Sequence, residues 1–378
     1  MPSRGFVFWP VGNGDCTTII IDEDTVIQVD LNHLESAEEE NDPHSPIIDN
    51  LVGILPKVNG NPYLSVFVLS HPDQDHCRGF TELLNRVTIG EIWHSPRIFR
   101  EYSKDLSDDA KAFQKEAKRR VKEMIKHDGN VEGGDRLHLI GYDDLLKEDE
   151  FEDFPREYLT VPGNTITIVD GQDLEDLFEA FVHAPFKDDS SRDRNDTSLA
   201  MQVNLKDGDI LGRAMLLGDH CYPTLKKIFD RSDSEDLKWN VFLAPHHCSK
   251  SVMYWKDEGD DEEKLKQDIL DDIENAADQP GYIVASSEPI PSKNAEGDNP
   301  PHAKAKNRYE EIVPDDFICT QEHPNEENPE PVVFELNEDG FNYLECGKEQ
   351  PKSAASLKES VKQARGSDSP KEQVGFGL

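Results

Sequence analysis

The segment Phe67–Phe80, FVLSHPDQDHCRGF, joins an apolar run to a dense group of polar side chains. The run LSVFVLS (Leu64–Ser70) is rich in β-branched and aromatic residues, which is typical of a buried strand. Four residues with metal-binding groups follow where that strand must end: His71, Asp73, Asp75 and His76. Because side chains at the carboxyl end of a strand can converge on one point, this segment is a candidate site.

Other apolar runs also end in histidine or aspartate. FEAFV is followed by His183, AMLLG by Asp219, and VFLAP by the pair His246 and His247. The residues at one strand end cannot surround a metal ion by themselves. Because four segments each place a possible ligand just after an apolar run, the sequence predicts that they form one metal centre together. Three alternatives stay open: Asp219 also fits a helix N-cap, a lone His183 is often only hydrogen-bonded, and either member of the histidine pair can be the ligand.

Composition and charge limit the partners of the chain. Its 378 residues are 35% hydrophobic and 31% charged, and 78 acidic against 40 basic residues give a net charge of −38. Such a field repels nucleic acid and anionic membranes at long range. A phosphoester or nucleic-acid substrate stays compatible with it, since metal ions can reverse the field inside a cleft.

The sequence predicts a cytoplasmic protein with no membrane segment. No stretch approaches the roughly 18 apolar residues that a membrane helix needs. The start MPSRGFVFWPVGNGD lacks the basic and long apolar regions of a signal peptide. The six cysteines show neither CxxC pairs nor dense spacing, which favours reduced thiols.

Strand-like runs in both halves, with helical segments between them, predict one α/β domain over residues 1–346. Helical insertions are expected near 100–160 and 256–280, and their acidity offers a surface for a partner protein. Residues 347–378 are polar and low in apolar residues, which predicts a flexible tail. The oligomeric state is open.

Two segments have a clear local pattern. Residues 102–127 are charged, free of proline and have apolar residues near helical spacing, which predicts a surface helix. Residues 256–279, KDEGDDEEKLKQDILDDIENAADQ, are very acidic and are also expected to be helical.

An ordered set of motifs resembles one protein family. SHPDQDH resembles the HxHxDH signature of the metallo-β-lactamase-fold hydrolases, and LLGD (Leu216–Asp219) resembles their metal-bridging aspartate. APHHCSKS (Ala244–Ser251) is similar to the HHGS segment of the ComEC-type competence proteins and their stand-alone relatives. GNGDCTTIIID followed by QVDLN, and NDTSLAMQV, resemble further patterns of that branch. The matches run in order over roughly residues 5 to 310.

The resemblance implies an αβ/βα sandwich, with two mixed β-sheets packed face to face and helices outside. It also implies a dinuclear site. His71, Asp73 and His183 would hold one metal, and Asp219 would bridge to a second held by Asp75, His76 and either His246 or His247. A metal-bridged hydroxide would be the nucleophile, oriented by Asp75. The histidine of the pair that does not bind metal would face the substrate oxyanion.

Two positions depart from the family pattern. Asp73 stands where the signature has histidine, and a carboxylate favours Mn²⁺ or Fe²⁺ relative to Zn²⁺. Cys248 stands where the branch has glycine, so the backbone there is expected to differ.

The function implied by the resemblance is that of a metal-dependent phosphodiesterase or nuclease with two divalent ions, Zn²⁺ or Mn²⁺, with Fe²⁺ as a further candidate. One alternative is hydrolysis of another ester, a thioester or a lactone by the same fold. The other is a binding scaffold with a degenerate site, for which the replacement at Asp73 is the one supporting feature.

Overall fold

Short runs of β-branched and aromatic residues form the strands of the computed structural model, which describes residues 1–39, 41–189 and 193–345. In chain order the strands are β1 (Gly5–Phe8), β2 (Thr17–Ile20), β3 (Val26–Val29), β4 (Leu31–Asn32), β5 (Lys57–Val58), β6 (Asn61–Leu69), β7 (Thr88–His94), β8 (Arg136–Ile140), β9 (Leu159–Thr160), β10 (Thr165–Ile166), β11 (Ile168–Val169) and β12 (Gln172–Asp173). They continue with β13 (Phe178–Ala184), β14 (Ala200–Asp207), β15 (Ile210–Leu216), β16 (Trp239–Leu243), β17 (Tyr254–Trp255), β18 (Lys264–Leu265), β19 (Ala277–Ala285), β20 (Phe317–Cys319), β21 (Val332–Asn337) and β22 (Gly340–Tyr343).

The α-helices lie between these strands. They are α1 (Ile47–Ile54), α2 (Gln74–Cys77), α3 (Phe80–Arg86), α4 (Arg97–Arg100), α5 (Asp108–Lys126), α6 (Tyr222–Arg231), α7 (Pro245–Cys248), α8 (Gln267–Ala276) and α9 (Ala303–Ile312). Within the described ranges, none is both long and apolar enough to cross a membrane.

Two large mixed sheets organise the chain. The first has the order β22-β21-β1-β2-β3-β6-β7-β8-β9, with β5 beside β6, and the second has the order β10-β13-β14-β15-β16-β19-β20. In the first sheet β3, β6, β7, β8 and β9 run parallel, and in the second β15, β16, β19 and β20 do. The remaining neighbours in both sheets are antiparallel.

Three groups of buried side chains reveal the layers. One group joins residues of both sheets, such as Phe8 and Val68 of the first with Val203 and Leu243 of the second, so the sheets pack face to face. A second group lies between the first sheet and α1, α3 and α5. A third lies between the second sheet and α6, α8 and α9. This mixed α/β arrangement is compatible with the αβ/βα sandwich expected from the sequence.

Helix α5 illustrates how the sequence sets an element. Ser107 caps its first turn by accepting a hydrogen bond from the N–H of Ala110. Its buried face repeats at helical spacing: Ala110, Phe113, Ala117, Val121 and Met124. The predicted helix over residues 102–127 is therefore real but begins at Asp108, because Ser107 supplies the cap.

The acidic segment 256–279 is helical only in its second half. Strands β17 and β18 form a small hairpin, and α8 follows over Gln267–Ala276. The apolar residues of α8, Ile269, Leu270 and Ile273, recur at helical spacing and are buried, which explains where the helix forms.

Residues Met1–Leu344 form one compact unit that contains all of these elements. The predicted tail over residues 347–378 lies outside the described residues.

Candidate metal centre

One half of the site lies at the carboxyl ends of the parallel neighbours β3 and β6. Asp30 directly follows β3, and Ser70 and His71 directly follow β6. The backbone of Asp30 has a φ of +55°, a left-handed conformation that aspartate tolerates better than most residues. Its carboxylate accepts hydrogen bonds from the backbone N–H and the hydroxyl of Ser70, at 2.7 and 2.6 Å.

The predicted ligand cluster forms a tight turn after β6. Asp73 precedes the single-turn helix α2, which carries Asp75 and His76. The imidazole rings of His71 and His76 lie 4.0 Å apart between centroids, and both side chains are fully buried. The segment that opened the sequence analysis therefore folds as one ligand-rich turn.

The other half lies at the carboxyl ends of β15 and β16 in the second sheet. Asp219 follows β15, and His246 and His247 follow β16. Three consecutive residues, His246, His247 and Cys248, have φ values of +53°, +52° and +63°. Left-handed backbone costs non-glycine residues about 1–2 kcal/mol each, so tertiary contacts must stabilise this turn. Cys248 thus keeps the conformation that glycine favours.

The two oxygens of Asp219 face different ligand groups. Its Oδ1 lies 3.3 Å from Nε2 of His76 and 3.6 Å from Nε2 of His247. Its Oδ2 lies 3.7 Å from Nε2 of His71 and 3.8 Å from Nε2 of His246. We name the first group, completed by Asp75, position A. The second group, completed by Asp73, is position B.

Each position has a further carboxylate. At position A, Oδ2 of Asp75 lies 3.2 Å from Nε2 of His247. At position B, Oδ2 of Asp73 lies 3.5 Å from Nε2 of His71. Asp219 is thus shared, and each position adds two imidazoles and one carboxylate of its own.

The chemistry of these atoms fits a metal ion. Four of them are buried and have no hydrogen-bond partner within the described part of the chain: Nε2 of His71, His76 and His247, and Oδ1 of Asp219. Leaving such polar atoms unsatisfied costs about 1–3 kcal/mol each. Nitrogen and carboxylate oxygen are ligands of Zn²⁺, Mn²⁺ and Fe²⁺. The cluster can therefore hold a metal ion.

Partners behind the ligands fix their orientation. Nδ1 of His76 lies 2.8 Å from a carboxylate oxygen of Asp30, and both side chains are buried. Nδ1 of His247 lies 3.2 Å from the carbonyl of Ser286 and 3.5 Å from Oδ1 of Asp15. A carboxylate or carbonyl behind a ligating histidine holds the proton on Nδ1 and leaves Nε2 to bind metal.

Attraction between the histidines and the carboxylates outweighs burial in setting the pKa values of most of these groups. Burial by itself would lower the pKa of His76 and His247, but Asp219 and the other carboxylates outweigh it. The pKa of His76 is therefore well above its ordinary value, and that of His247 is raised to about 10. Burial alone would raise the pKa of Asp75 and Asp219, but the histidines hold both below their ordinary values. Burial lowers the pKa of His246.

Asp73 has an additional partner that the sequence did not reveal. Nη1 of Arg194 donates a hydrogen bond to Oδ1 of Asp73 at 2.8 Å, and Nη2 donates to Glu101 at 2.9 Å and to the carbonyl of Asp105 at 2.8 Å. Burial opposes ionisation of Asp73, but His71 and Arg194 outweigh it and lower its pKa to about 2.

One predicted ligand lies elsewhere. His183 was expected to complete the group of His71 and Asp73, but its Nδ1 lies 2.8 Å from the hydroxyl of Ser232, just after α6. The pairing of β13 with β14 is irregular between Val182 and Ala184, at the position of His183. Among the described residues no hydrogen bond or ion pair joins His183 to this group, and His246 lies there instead. Nε2 of His183 is buried without a hydrogen-bond partner, so its metal binding stays a prediction.

The structure brings together the other predicted residues, namely His71, Asp73, Asp75, His76, Asp219, His246 and His247. It also separates the histidine pair. His247 lies at position A with 4% of its side chain exposed, whereas His246 is 24% exposed and lies nearer the surface.

Sequence reasoning gave no role to Asp15, Asp30 or Arg194. Asp15 and Asp30 stand in GNGD and QVD, the segments that resemble the family's N-terminal pattern, so that resemblance was the available signal. Arg194 is distant in sequence from Asp73 and carries no local pattern that links the two.

A cavity of about 650 Å³ opens beside position B. Asp73 and Cys221 lie in its wall next to the site, and the wall also contains two aromatic rings, Tyr102 and Trp255. Its charged lining residues are Arg97, Arg100, Arg194, Glu101, Asp105, Asp193 and Asp196. Asp73 is the one member of the ligand cluster among the residues that line this cavity.

Comparison with known proteins adds no family assignment: no protein-family model matches the chain, and neither does any curated protein.

Proposed function

We propose that the chain is a metal-dependent hydrolase of the metallo-β-lactamase superfamily and that its substrate is a phosphodiester. The observation that carries the proposal is the position of Asp219, whose two oxygens each face a separate pair of histidines. A carboxylate in this place can bridge two ions in a dinuclear site. The two face-to-face mixed sheets are compatible with that superfamily's αβ/βα sandwich.

The residues of positions A and B would hold the two ions, with Asp219 common to both. Two divalent ions bound there, as Zn²⁺, Mn²⁺ or Fe²⁺, would lower the pKa of a water molecule toward neutrality and polarise a phosphoryl oxygen. Each position offers two imidazoles and two carboxylates, counting Asp219, so ligand hardness admits Mn²⁺ or Fe²⁺ as well as Zn²⁺ at both.

Asp75 is the residue that would act on protons. Asp75 is one-third exposed, so a carboxylate oxygen can reach the attacking water, orient it and accept its proton. His246 is more exposed than His247, and its Nε2 faces Oδ2 of Asp219, so we assign it to position B as a ligand.

The preference for a phosphodiester rests on the branch that the sequence resembles. The cavity beside position B adds two aromatic rings, Tyr102 and Trp255, which suit a nucleobase. Its three arginines match the geometry of phosphate oxygens, but each is paired with a carboxylate, so a phosphate would have to compete for them.

The decisive experiment compares metal content and hydrolysis in the parent and in Asp219→Ala. We expect metal in the parent by mass spectrometry, and Mn²⁺- or Zn²⁺-dependent cleavage of bis(p-nitrophenyl) phosphate. The Asp219→Ala protein should lose both.

The matched control is Asp209→Ala, since Asp209 is exposed at the start of β15, the strand that Asp219 follows. The control should keep metal and activity. A parent that binds metal but cleaves no phosphodiester would refute the substrate class, and a parent that binds no metal would refute the hydrolase and favour the scaffold.

A further inference from the structure

We propose that the two metal positions are unequal and that Arg194 is the positioning residue that weakens position B. The inference rests on the proposed dinuclear site and concerns residues of this chain that the family resemblance did not assign. It predicts one firmly held ion at position A and a second, exchangeable ion at position B.

The ligands of position A are supported by charged partners. Behind His76 stands the carboxylate of Asp30, at 2.8 Å, and behind His247 stand the carbonyl of Ser286 and the carboxylate of Asp15. These contacts hold each Nε2 toward the metal and raise its basicity, so ions at position A should bind tightly.

The ligands of position B lack such support. Nδ1 of His71 lies 3.1 Å from the neutral hydroxyl of Ser70, and within the described ranges the contact of Nδ1 of His246 is with the thiol of Cys221, at 4.0 Å. His246 is also 24% exposed, whereas His247 of position A is 4% exposed and His76 is fully buried, so water competes for the histidine ligands of position B more; Asp73 and Asp75 are equally exposed, at 33%.

The positive charge of Arg194 opposes binding of a cation at position B. Its guanidinium binds Oδ1 of Asp73, and the other oxygen of that carboxylate faces His71. A cation at position B would be separated from the guanidinium of Arg194 by the single carboxylate of Asp73. Because that carboxylate already pairs with the arginine, it would attract the cation less strongly. The side chain of Arg194 is fixed in this position because its Nη2 donates hydrogen bonds to Glu101 and to the carbonyl of Asp105.

The test is isothermal titration of the metal-free protein with Mn²⁺, and separately with Zn²⁺, combined with mass spectrometry after gel filtration in metal-free buffer. The parent should retain one ion, and its second ion should bind at least about tenfold more weakly than the first. In Arg194→Gln one positive charge beside position B is removed, so the second ion should bind at least about tenfold more tightly than in the parent, with the first ion unchanged.

Two further variants keep the inference testable. Arg100→Gln makes the same change in the same cavity wall, where Arg100 pairs with Glu148, and should alter neither ion. Asp73→Asn removes a ligand of position B and should abolish the second ion while leaving the first. If Arg194→Gln does not fold, Asp73→Asn still decides which ion occupies position B.

The possible failures are distinguishable. A parent that binds two ions with equal affinity, or an Arg194→Gln protein whose second ion binds as in the parent, would overturn this inference and leave the hydrolase intact. Loss of the first ion in Asp73→Asn would overturn it as well. A parent that binds no ion would instead overturn the proposed function on which the inference rests.

Discussion

Replacing Asp30 with asparagine should damage metal binding without removing a ligand. The carboxylate of Asp30 accepts from Nδ1 of His76, so in the neutral ring that would bind metal the proton lies on Nδ1 and Nε2 is the ligand atom. In Asp30→Asn the amide oxygen can still accept from the N–H of Ser70, which directs the amide NH₂ toward Nδ1. The ring proton must then move to Nε2, which faces position A.

The geometry sets the size of the effect. Loss of a partner behind a ligating histidine typically costs 10–100-fold in metal affinity, or about 1.4–2.8 kcal/mol. The hydroxyl of Ser70 can rotate to meet the new NH₂ group, so most of the local hydrogen bonds survive. We therefore expect the free energy of unfolding to fall by only about 1–3 kcal/mol, the value of one hydrogen bond to a charged group.

The assay is Mn²⁺ titration of the metal-free parent and variant, with circular dichroism to establish folding. Asp170→Asn is a matched control, because Asp170 also has a left-handed backbone, with φ of +49°, and accepts hydrogen bonds from Tyr63 and Arg136. Tyr63 lies in the first half of β6, and the metal positions lie past that strand's other end. Metal affinity equal to the parent's in folded Asp30→Asn protein would refute the reasoning.

Two other predictions concern residues outside the ligand cluster. His183→Gln should keep the parent's metal stoichiometry by mass spectrometry, because His183 contacts Ser232. Loss of an ion in this variant would show that His183 is a ligand. Burial raises the pKa of Glu91 from 4.5 to about 7, so its contribution to stability is present below pH 4.5 and is lost as the pH rises through 7. Urea unfolding at pH 4.5 and pH 8 should show the parent losing roughly 3 kcal/mol relative to Glu91→Gln, and an unchanged difference would contradict this.

Local sequence was sufficient for much of the fold and the ligands. The apolar run before His71 and the ones before Asp219 and His246 each form a strand, and each polar residue stands just past its end. A strand must end where its apolar pattern ends, and parallel neighbours bring their carboxyl ends to one edge, so the ligands of each half followed from pattern. That the two halves meet followed from how the two sheets pack.

The helical segments show where local pattern is weaker. The periodic apolar residues of 102–127 predicted α5, but only the Ser107 cap fixed its start. In 256–279 high charge hid the boundary between the hairpin of β17 and β18 and the helix α8, because composition does not tell which backbone groups pair.

The sequence by itself determined which residue types meet at the site; only the tertiary structure decided what each of them does. The left-handed turn at His246 and His247 directs one ring to each oxygen of Asp219, and no local pattern gives that direction. Arg194 reaches Asp73 across 121 residues of chain. Contacts between elements distant in sequence depend on how the two sheets pack, and residues along the whole chain determine that packing.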